Sequence, residues 1–328
     1  MEPYYYTLES LIKIVVVVTI LMLCVAYLTL IERKFLGYLQ VRLGPNRVGT
    51  WGLLQPIADG IKSFVKEDII PDNADKTVYV IAPMITFITA LSMFAVIPFG
   101  DSVTIGGREI KLVIADIDIG LLYIFAMGTL GEYGIVLGGW ASSNKYAVLG
   151  SLRAAAQMIS YEVALGLILI GAIILAGSLR LTEIVEAQRN GWFILYQPFA
   201  FLLYVVAALA EINRTPFDMP ESESELACGF NVEYSSMKFA LFMIAEYAHL
   251  VTVAALTTTL FLGGWLGPIL PGAVWFIGKT LAMVFVFIWI RGTFPRMRYD
   301  HIMKLGWKCL FPAALANVVV TALIVALR

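Results

Sequence analysis

Eight long apolar stretches run along the chain, and polar connectors separate them. Because about 20 apolar residues in a helix cross the hydrocarbon core of a bilayer, each stretch is long enough to span a membrane. The predicted spans are 11–31, 77–99, 115–138, 156–178, 193–211, 237–262, 272–290 and 308–327. The pattern therefore predicts an all-α polytopic membrane protein with about eight transmembrane helices, in which residues 1–328 form one integral membrane domain.

A shorter segment in the first connector, residues 53–67, has a different pattern. Its apolar residues recur at the three- and four-residue spacing of a helix, and charged residues lie between them. The apolar positions are Leu53, Leu54, Ile57, Ile61, Phe64 and Val65. The segment is too short and too charged to cross a bilayer, so it is predicted to be an amphipathic helix at the membrane interface.

Glycines indicate two turns outside the spans. Residues 103–114 alternate on both sides of Gly106 and Gly107, which predicts a small external β-hairpin. Glycines and prolines concentrated over 262–276 indicate a turn there rather than a helix.

Composition agrees with a membrane protein. The chain is 60% hydrophobic and 14% charged, whereas soluble proteins carry about 25% charged residues. A net charge of −1 gives no indication of a nucleic-acid partner. Three scattered cysteines and two histidines form no recognisable ligand set for zinc, haem or an iron–sulfur cluster, so no metal site is predicted.

The basic residues predict the orientation of the chain. Sixteen of the 23 Lys and Arg lie in, or at the edges of, the connectors after spans one, three, five and seven. The positive-inside rule places those connectors on the cytoplasmic side. Both termini are then predicted to face outward, and the connector 212–236 to face inward.

That connector and its edges are unusually acidic. Two prolines, Pro216 and Pro220, exclude a continuous helix through 214–220. One base, Arg214, stands against six acids, which are Glu211, Asp218, Glu221, Glu223, Glu225 and Glu233. A run of charge is often a solvated connector; the alternative is a functional segment, and composition alone leaves both open.

Four glutamates lie in or at the edges of the predicted spans. They are Glu132, Glu162, Glu211 and Glu246. An ionisable group at mid-membrane costs at least about 2.5–3.5 kcal/mol and marks function by default. Each could be a structural, hydrogen-bonded carboxyl, but four in separate spans favour a proton path. His249 is a candidate relay residue or a packing histidine.

Further charges lie at the predicted inner ends of the first and seventh spans. They include Glu32, Arg33, Arg42, Asp59 and Arg291. Ordinary basic anchoring at the interface explains most of the cations. It does not explain Glu221, Glu223 and Glu225 on the same side, for which a protein partner or a charged internal channel gives a better account.

Six stretches resemble one known family. They are Glu32-Arg-Lys-Phe-Leu-Gly, Gln40-Val-Arg-Leu-Gly-Pro-Asn-Arg-Val-Gly, Gln55-Pro-Ile-Ala-Asp-Gly-Ile-Lys, Ser160-Tyr-Glu, Ala210-Glu-Ile-Asn-Arg-Thr-Pro-Phe-Asp-Met-Pro-Glu-Ser-Glu-Ser-Glu-Leu and Arg291-Gly-Thr-Phe-Pro-Arg-Met-Arg-Tyr-Asp. Together they are similar to the H subunits of proton-pumping NADH:quinone oxidoreductase, respiratory complex I.

The resemblance implies a place in the quinone chamber of that complex. The implied chamber and funnel residues are Glu32, Arg33, Arg42, Asp59, Phe217, Asp218, Glu221, Glu223, Glu225 and Arg291, and the implied proton path is Glu132, Glu162, Glu211 and Glu246. Quinone, as ubiquinone or menaquinone, would be the substrate. Flavin, iron–sulfur clusters and the NADH site would belong to other subunits, so this chain would hold no complete active site.

The same resemblance implies the partners, which are the peripheral-arm subunits at the quinone site, the small and antiporter-like membrane subunits, and the lipid bilayer. The location is predicted to be the bacterial plasma membrane rather than the mitochondrial inner membrane. The alternatives are the equivalent subunit of a membrane-bound hydrogenase-type complex, a free-standing proton or ion transporter, and a structural anchor. A transporter predicts inverted repeats, which the sequence does not show, and an anchor does not need four buried glutamates.

Overall fold

The computed structural model describes residues 2–105 and 108–327. The α-helices are α1 Glu2–Leu39, α2 Gln55–Val65, α3 Lys76–Ser92, α4 Gly120–Ala141, α5 Lys145–Ala176, α6 Leu181–Ala187, α7 Phe193–Tyr196, α8 Pro198–Glu211, α9 Glu223–Leu226, α10 Ser236–Phe261, α11 Gly272–Thr293, α12 Tyr299–Lys304 and α13 Phe311–Ala326. A π-helical segment, Leu305–Leu310, joins α12 to α13. The strands are β1 Ser102–Ile105 and β2 Arg108–Lys111.

Within the described ranges, seven helical stretches are long and apolar enough to cross a membrane, so the prediction of a polytopic helical protein is confirmed. The region predicted as the span 193–211 differs, because it consists of the short α7 and the 14-residue α8. Gln197 separates them with the non-helical angles φ −134° and ψ 59°. Pro198 follows, and proline starts a helix well but cannot continue one.

Capping residues move several other helix ends from their predicted positions. The Asn144 side chain accepts a hydrogen bond from Tyr146 N at 2.9 Å, so α5 begins at Lys145, well before the predicted residue 156. Gly177 ends α5 in the left-handed conformation with φ 71°. Helix α1 continues past residue 31 to Leu39, because a charged tail can extend a helix out of the apolar core.

The β-hairpin forms where the alternation predicted it. Strands β1 and β2 pair antiparallel, with Ser102 opposite Lys111 and Thr104 opposite Glu109. The predicted turn residues Gly106 and Gly107 lie outside the described residues.

Close packing of α3 against α4 depends on glycine. A Cβ atom added at Gly134 would lie 2.1 Å from Thr86 Oγ1, and one added at Gly131 would lie 2.7 Å from Thr89 Oγ1. Small residues at such contacts let membrane helices approach closely. Helix α5 packs on α4, α8 and α13, and α10 packs on α1, α3 and α11, which together surround the polar region described below.

The helix predicted at 53–67 spans Gln55–Val65 and leaves its apolar face uncovered. Ile57, Ile61 and Phe64 are 55%, 58% and 73% exposed. The helix is attached at its end to the start of α10, because Ser236 Oγ donates to the Ser63 carbonyl at 2.9 Å. The exposed face has the character that an interfacial helix needs.

Candidate functional site

Glu32 in α1 lies at the centre of a buried ion-pair network, with 2% of its surface exposed. One carboxylate oxygen accepts a hydrogen bond from Arg214 Nη1 at 2.7 Å, and the other accepts one from Arg291 Nη1. Arg214 also donates from Nε to Glu246 Oε1 at 2.6 Å. Two carboxylates thus balance two guanidinium groups, and this pairing lowers the cost of burying charge within a membrane protein.

Arg214 connects carboxylates from two different helices, α1 and α10. Its planar guanidinium group presents donors in a fixed fork, which suits contact with two acids at once, and it lies 4.2 Å from the centre of the Tyr247 ring. Burial alone would lower the pKa of Arg214, but the carboxylates of Glu246 and Glu32 outweigh burial and raise it. Arg214 was not among the predicted site residues, although it is the one basic residue between 212 and 236.

The first part of the acidic connector is packed inside the protein. Arg214, Phe217, Met219 and Ser222 are at most 4% exposed. Gln157 Nε2 in α5 binds this backbone, donating to the Phe217 carbonyl at 2.7 Å. Irregular backbone at membrane depth is stable only where protein covers it or where it lines a cavity. A solvated connector therefore does not describe residues 212–222.

A cavity lies between this connector and helices α3, α4 and α10. Three of the four glutamates predicted to form a proton path line it, namely Glu132, Glu211 and Glu246. Glu221 of the connector and His249 of α10 line the same cavity. One space therefore joins the acidic connector to carboxylates that belong to three separate helices.

Glu162, the fourth predicted glutamate, is not among the described residues that line this cavity. Its Oε1 atom instead accepts a hydrogen bond from Thr129 Oγ1, which connects α5 to α4. Thr129 lies three residues before Glu132, so the two side chains are neighbours along one side of α4. Glu162 is thus next to the cavity lining rather than part of it.

Glu221 is held largely away from water in the connector. Its Oε1 atom accepts a hydrogen bond from Asn231 Nδ2 at 3.0 Å. Burial raises the pKa of Glu221 to about 8, and the carboxylates of Glu246 and Asp218 add to this effect, while Arg214 and then Arg291 oppose it. A carboxyl group with such a pKa changes its protonation near neutral pH, which suits a group that responds to a nearby charge.

Other predicted chamber residues form ion pairs but are not among the described residues that line the cavity. Each pair joins two different elements or connectors. The pairs are Arg33–Asp59 at 2.7 Å, Arg296–Asp218 at 2.6 Å and Arg153–Glu225 at 2.6 Å. Acids of the connector therefore hold it against α5 and against the segment after α11.

Of the predicted chamber residues whose side chains the structure describes, Glu221 alone lines the cavity. Phe217 packs in the hydrophobic core, with its ring centre 5.6 Å from that of Tyr161. Arg42 is exposed, and its Nε donates to Gln40 Oε1 at 2.7 Å. The side chain of Glu223 lies outside the described part of the protein.

A second, much smaller cavity adjoins the first. Both are lined by Glu211, His249 and Met93. The second cavity extends to Tyr204 in α8. In the residues that the structure describes, no group of three His, Cys, Asp or Glu side chains is spaced to hold a metal ion.

The apolar helices and the carboxylates buried between them define a multi-pass membrane protein with an internal polar cavity. A sequence model of the NADH dehydrogenase family matches residues 12–322, and the chain belongs to this family. The second NADH-quinone oxidoreductase H subunit of Geobacter metallireducens is 53% identical, with 99% of this chain and 98% of that protein aligned. The first H subunit of Geobacter sulfurreducens is 52% identical, over 99% and 97%. The H subunit of Rhodospirillum rubrum is 53% identical, over 91% and 88%. The resemblance seen in the six motifs is thereby confirmed.

Proposed function

We propose that this chain is the H-type membrane subunit of a proton-translocating NADH:quinone oxidoreductase, respiratory complex I. It forms part of the quinone-binding chamber and couples quinone reduction to proton translocation. The observation that carries this proposal is the cavity that joins Glu221 of the connector to Glu132, Glu211 and Glu246. The relatives, each named as the H subunit of an NADH-quinone oxidoreductase, favour this function over that of a hydrogenase-type complex.

In this role the chain works with other subunits in a bacterial inner membrane. NADH, flavin and iron–sulfur clusters are handled by peripheral subunits, and the substrate that reaches this chain is a quinone, ubiquinone or menaquinone. Small and antiporter-like membrane subunits receive the coupling signal. Both termini face outward, and the connector 212–236 faces the peripheral arm.

The chamber is formed by the polar residues at the inner ends of the helices. Its predicted members are Glu32, Arg33, Arg42, Asp59, Phe217, Asp218, Glu221, Glu223, Glu225 and Arg291. The balanced charges at Glu32 and the ion pairs around the connector support a polar wall in this region. The apolar face of α2 lies on the lipid beside it, where a hydrophobic quinone would enter.

Coupling follows from the electrostatics of the cavity. Carboxylates that share a poorly solvated space cannot all ionise, so their titrations are linked. A negative charge that forms in the chamber during quinone reduction raises the proton affinity of Glu221. Redistribution of protons then continues through Glu246, Glu211 and Glu132, with Glu162 beside them.

The test is a glutamine substitution that keeps size and hydrogen bonding but removes the proton. Complex I carrying Glu211→Gln is reconstituted in liposomes, and NADH oxidation is measured together with proton uptake. We expect proton translocation to fall by about 100-fold, because a positioned proton-transfer group contributes at least that factor. Glu186→Gln is the matched control, since Glu186 is exposed and pairs only loosely with Arg189 at 4.0 Å. Normal pumping in Glu211→Gln would refute the proposed path.

A further inference from the structure

The two cavities meet at one place in the protein. They share three lining residues, of which Glu211 and His249 are polar and Met93 is apolar. The Glu211 carboxyl group and the His249 imidazole are therefore the two polar side chains that border both cavities.

The Nε2 atom of His249 is buried at this junction and has no hydrogen-bond partner among the described residues. Nε2 lies 3.8 Å from Glu211 Oε1, which is longer than a direct hydrogen bond. Gly128 faces this gap, since a Cβ atom there would lie 3.8 Å from Glu211 Oε1 and 4.0 Å from His249 Cε1. A buried polar atom without a hydrogen-bond partner destabilises the folded state, so its retention at this point needs a reason.

The second cavity supplies hydroxyl groups beyond the junction. Tyr204 is 1% exposed, and Thr252 is fully buried, yet both line this space. Tyr204 also interacts with Thr257 through its side chain. Most of the lining is apolar, but four of the ten lining residues carry polar groups, and such groups can hold an ordered water that passes a proton between them.

The direction of the second cavity is set by α8. Tyr204 precedes Glu211 by seven residues, which is about 10 Å along a helix. It therefore lies toward the N-terminal end of α8, away from the acidic connector. The second cavity therefore extends from the junction toward the N-terminal end of α8.

We propose that His249 is a proton-relay residue that passes protons from the first cavity to the second, with Tyr204 next in line. A protonated Glu211 gives its proton through one bridging water to His249 Nε2, which leaves a carboxylate and an imidazolium. The imidazolium then releases a proton to water beside Tyr204 and becomes neutral again. This inference rests on the proposed function, because it extends the same proton path. Besides Glu211, the carboxyl groups that face the same cavity are Glu132, Glu221 and Glu246.

The experiment uses the complete complex in liposomes, with His249→Gln as the main variant. Glutamine can hydrogen-bond to water but cannot take up a proton, so it separates a relay from a side chain that only orders water. His301→Gln is the matched control, because His301 is the other histidine of the chain and its side chain is 62% exposed. We expect normal NADH:quinone electron transfer, measured with an uncoupler present, in the wild type and in His301→Gln.

For His249→Gln we expect proton translocation to fall by about 100-fold, the lower end of what a positioned acid–base group contributes. The remaining translocation should also lose the part of its pH dependence that the imidazole supplies. His301→Gln should translocate protons like the wild type. Translocation by His249→Gln at the wild-type rate and with the wild-type pH profile would overturn the inference.

Two further variants keep each result decisive. If Glu211→Gln stops translocation while His249→Gln does not, the relay is refuted and the proposed function stands; if neither affects translocation, both are refuted. Should His249→Gln fail to assemble, Tyr204→Phe takes its place, because it removes one hydroxyl group and keeps the ring that packs 5.3 Å from Phe261. Wild-type translocation in Tyr204→Phe would then overturn the inference.

Discussion

Replacing Arg214 by methionine tests the buried ion-pair network most directly. The pair Arg214–Glu32 and the pair Arg33–Asp59 have the same N···O distance, 2.7 Å, but differ in burial. Both side chains are 3% exposed in the first pair, against 53% and 33% in the second. The N···O distance is thus the same in both pairs, which differ in burial and in the second ion pair that Arg214 forms with Glu246.

The magnitudes follow from this difference. Removing Arg214 leaves Glu32 and Glu246 facing fewer cations, and loss of one partner from a buried pair costs about 3–5 kcal/mol. Removing Arg33 breaks an exposed pair, which is worth about 0–1 kcal/mol. Arg214→Met should therefore lower the free energy of unfolding several times more than Arg33→Met does.

The assay is the temperature at which the purified complex releases this chain, measured for each variant at the same detergent and salt concentration. Arg214→Met should release the chain several degrees below Arg33→Met. Adding Glu246→Gln to Arg214→Met should recover part of the loss, because it removes a carboxylate left without its cation. Equal release temperatures for Arg214→Met and Arg33→Met would refute the claim that burial makes this network costly to break.

Three other results are expected. The pKa of Glu221 is raised to about 8 from 4.5, so between these pH values the folded state holds a proton that the unfolded state has lost, and the free energy of unfolding should fall by at most about 1.4 kcal/mol per pH unit. The release temperature should therefore fall less over this pH range in Glu221→Gln than in the wild type. Parallel plots of release temperature against pH for the two proteins would contradict the assignment. Gly134→Ala should destabilise by about 1–3 kcal/mol through the clash with Thr86, whereas Gly166→Ala, where a Cβ meets nothing within 4 Å, should be neutral or slightly stabilising in the same assay. Lys279→Met should cost about 1–3 kcal/mol, because it leaves three backbone carbonyls after α10 without their donor; an unchanged release temperature would exclude this role.

The pattern of apolar residues alone predicts most of the long helices, because a helix that crosses the lipid needs about 20 apolar residues in a row. It failed at 193–211, since hydropathy averages over Gln197 and Pro198 and does not detect the break between α7 and α8. It also missed the start of α5, where Asn144 determines the helix end through one hydrogen bond rather than through hydrophobicity.

Charged residues inside the apolar stretches predict part of the candidate site. Glu132, Glu211 and Glu246 line one cavity, and a polar residue in a span is visible in the sequence because it breaks the pattern. The partnership of Arg214 with Glu32 was not visible, since these residues are far apart in the chain and pairing depends on how the helices pack. Burial of Phe217 was hidden for the same reason, because a charged segment around it suggested an exposed surface.

The length of α8 has an electrical consequence. Its 14 residues extend about 21 Å, against a hydrocarbon thickness of about 30 Å, so α8 by itself is too short to cross the hydrocarbon core. If water fills the cavity at the end of α8, the transmembrane voltage falls mainly across the remaining thickness. A charge that leaves the end of α8 for the opposite surface then crosses most of the field, which is worth up to about 2.3 kcal/mol per 100 mV.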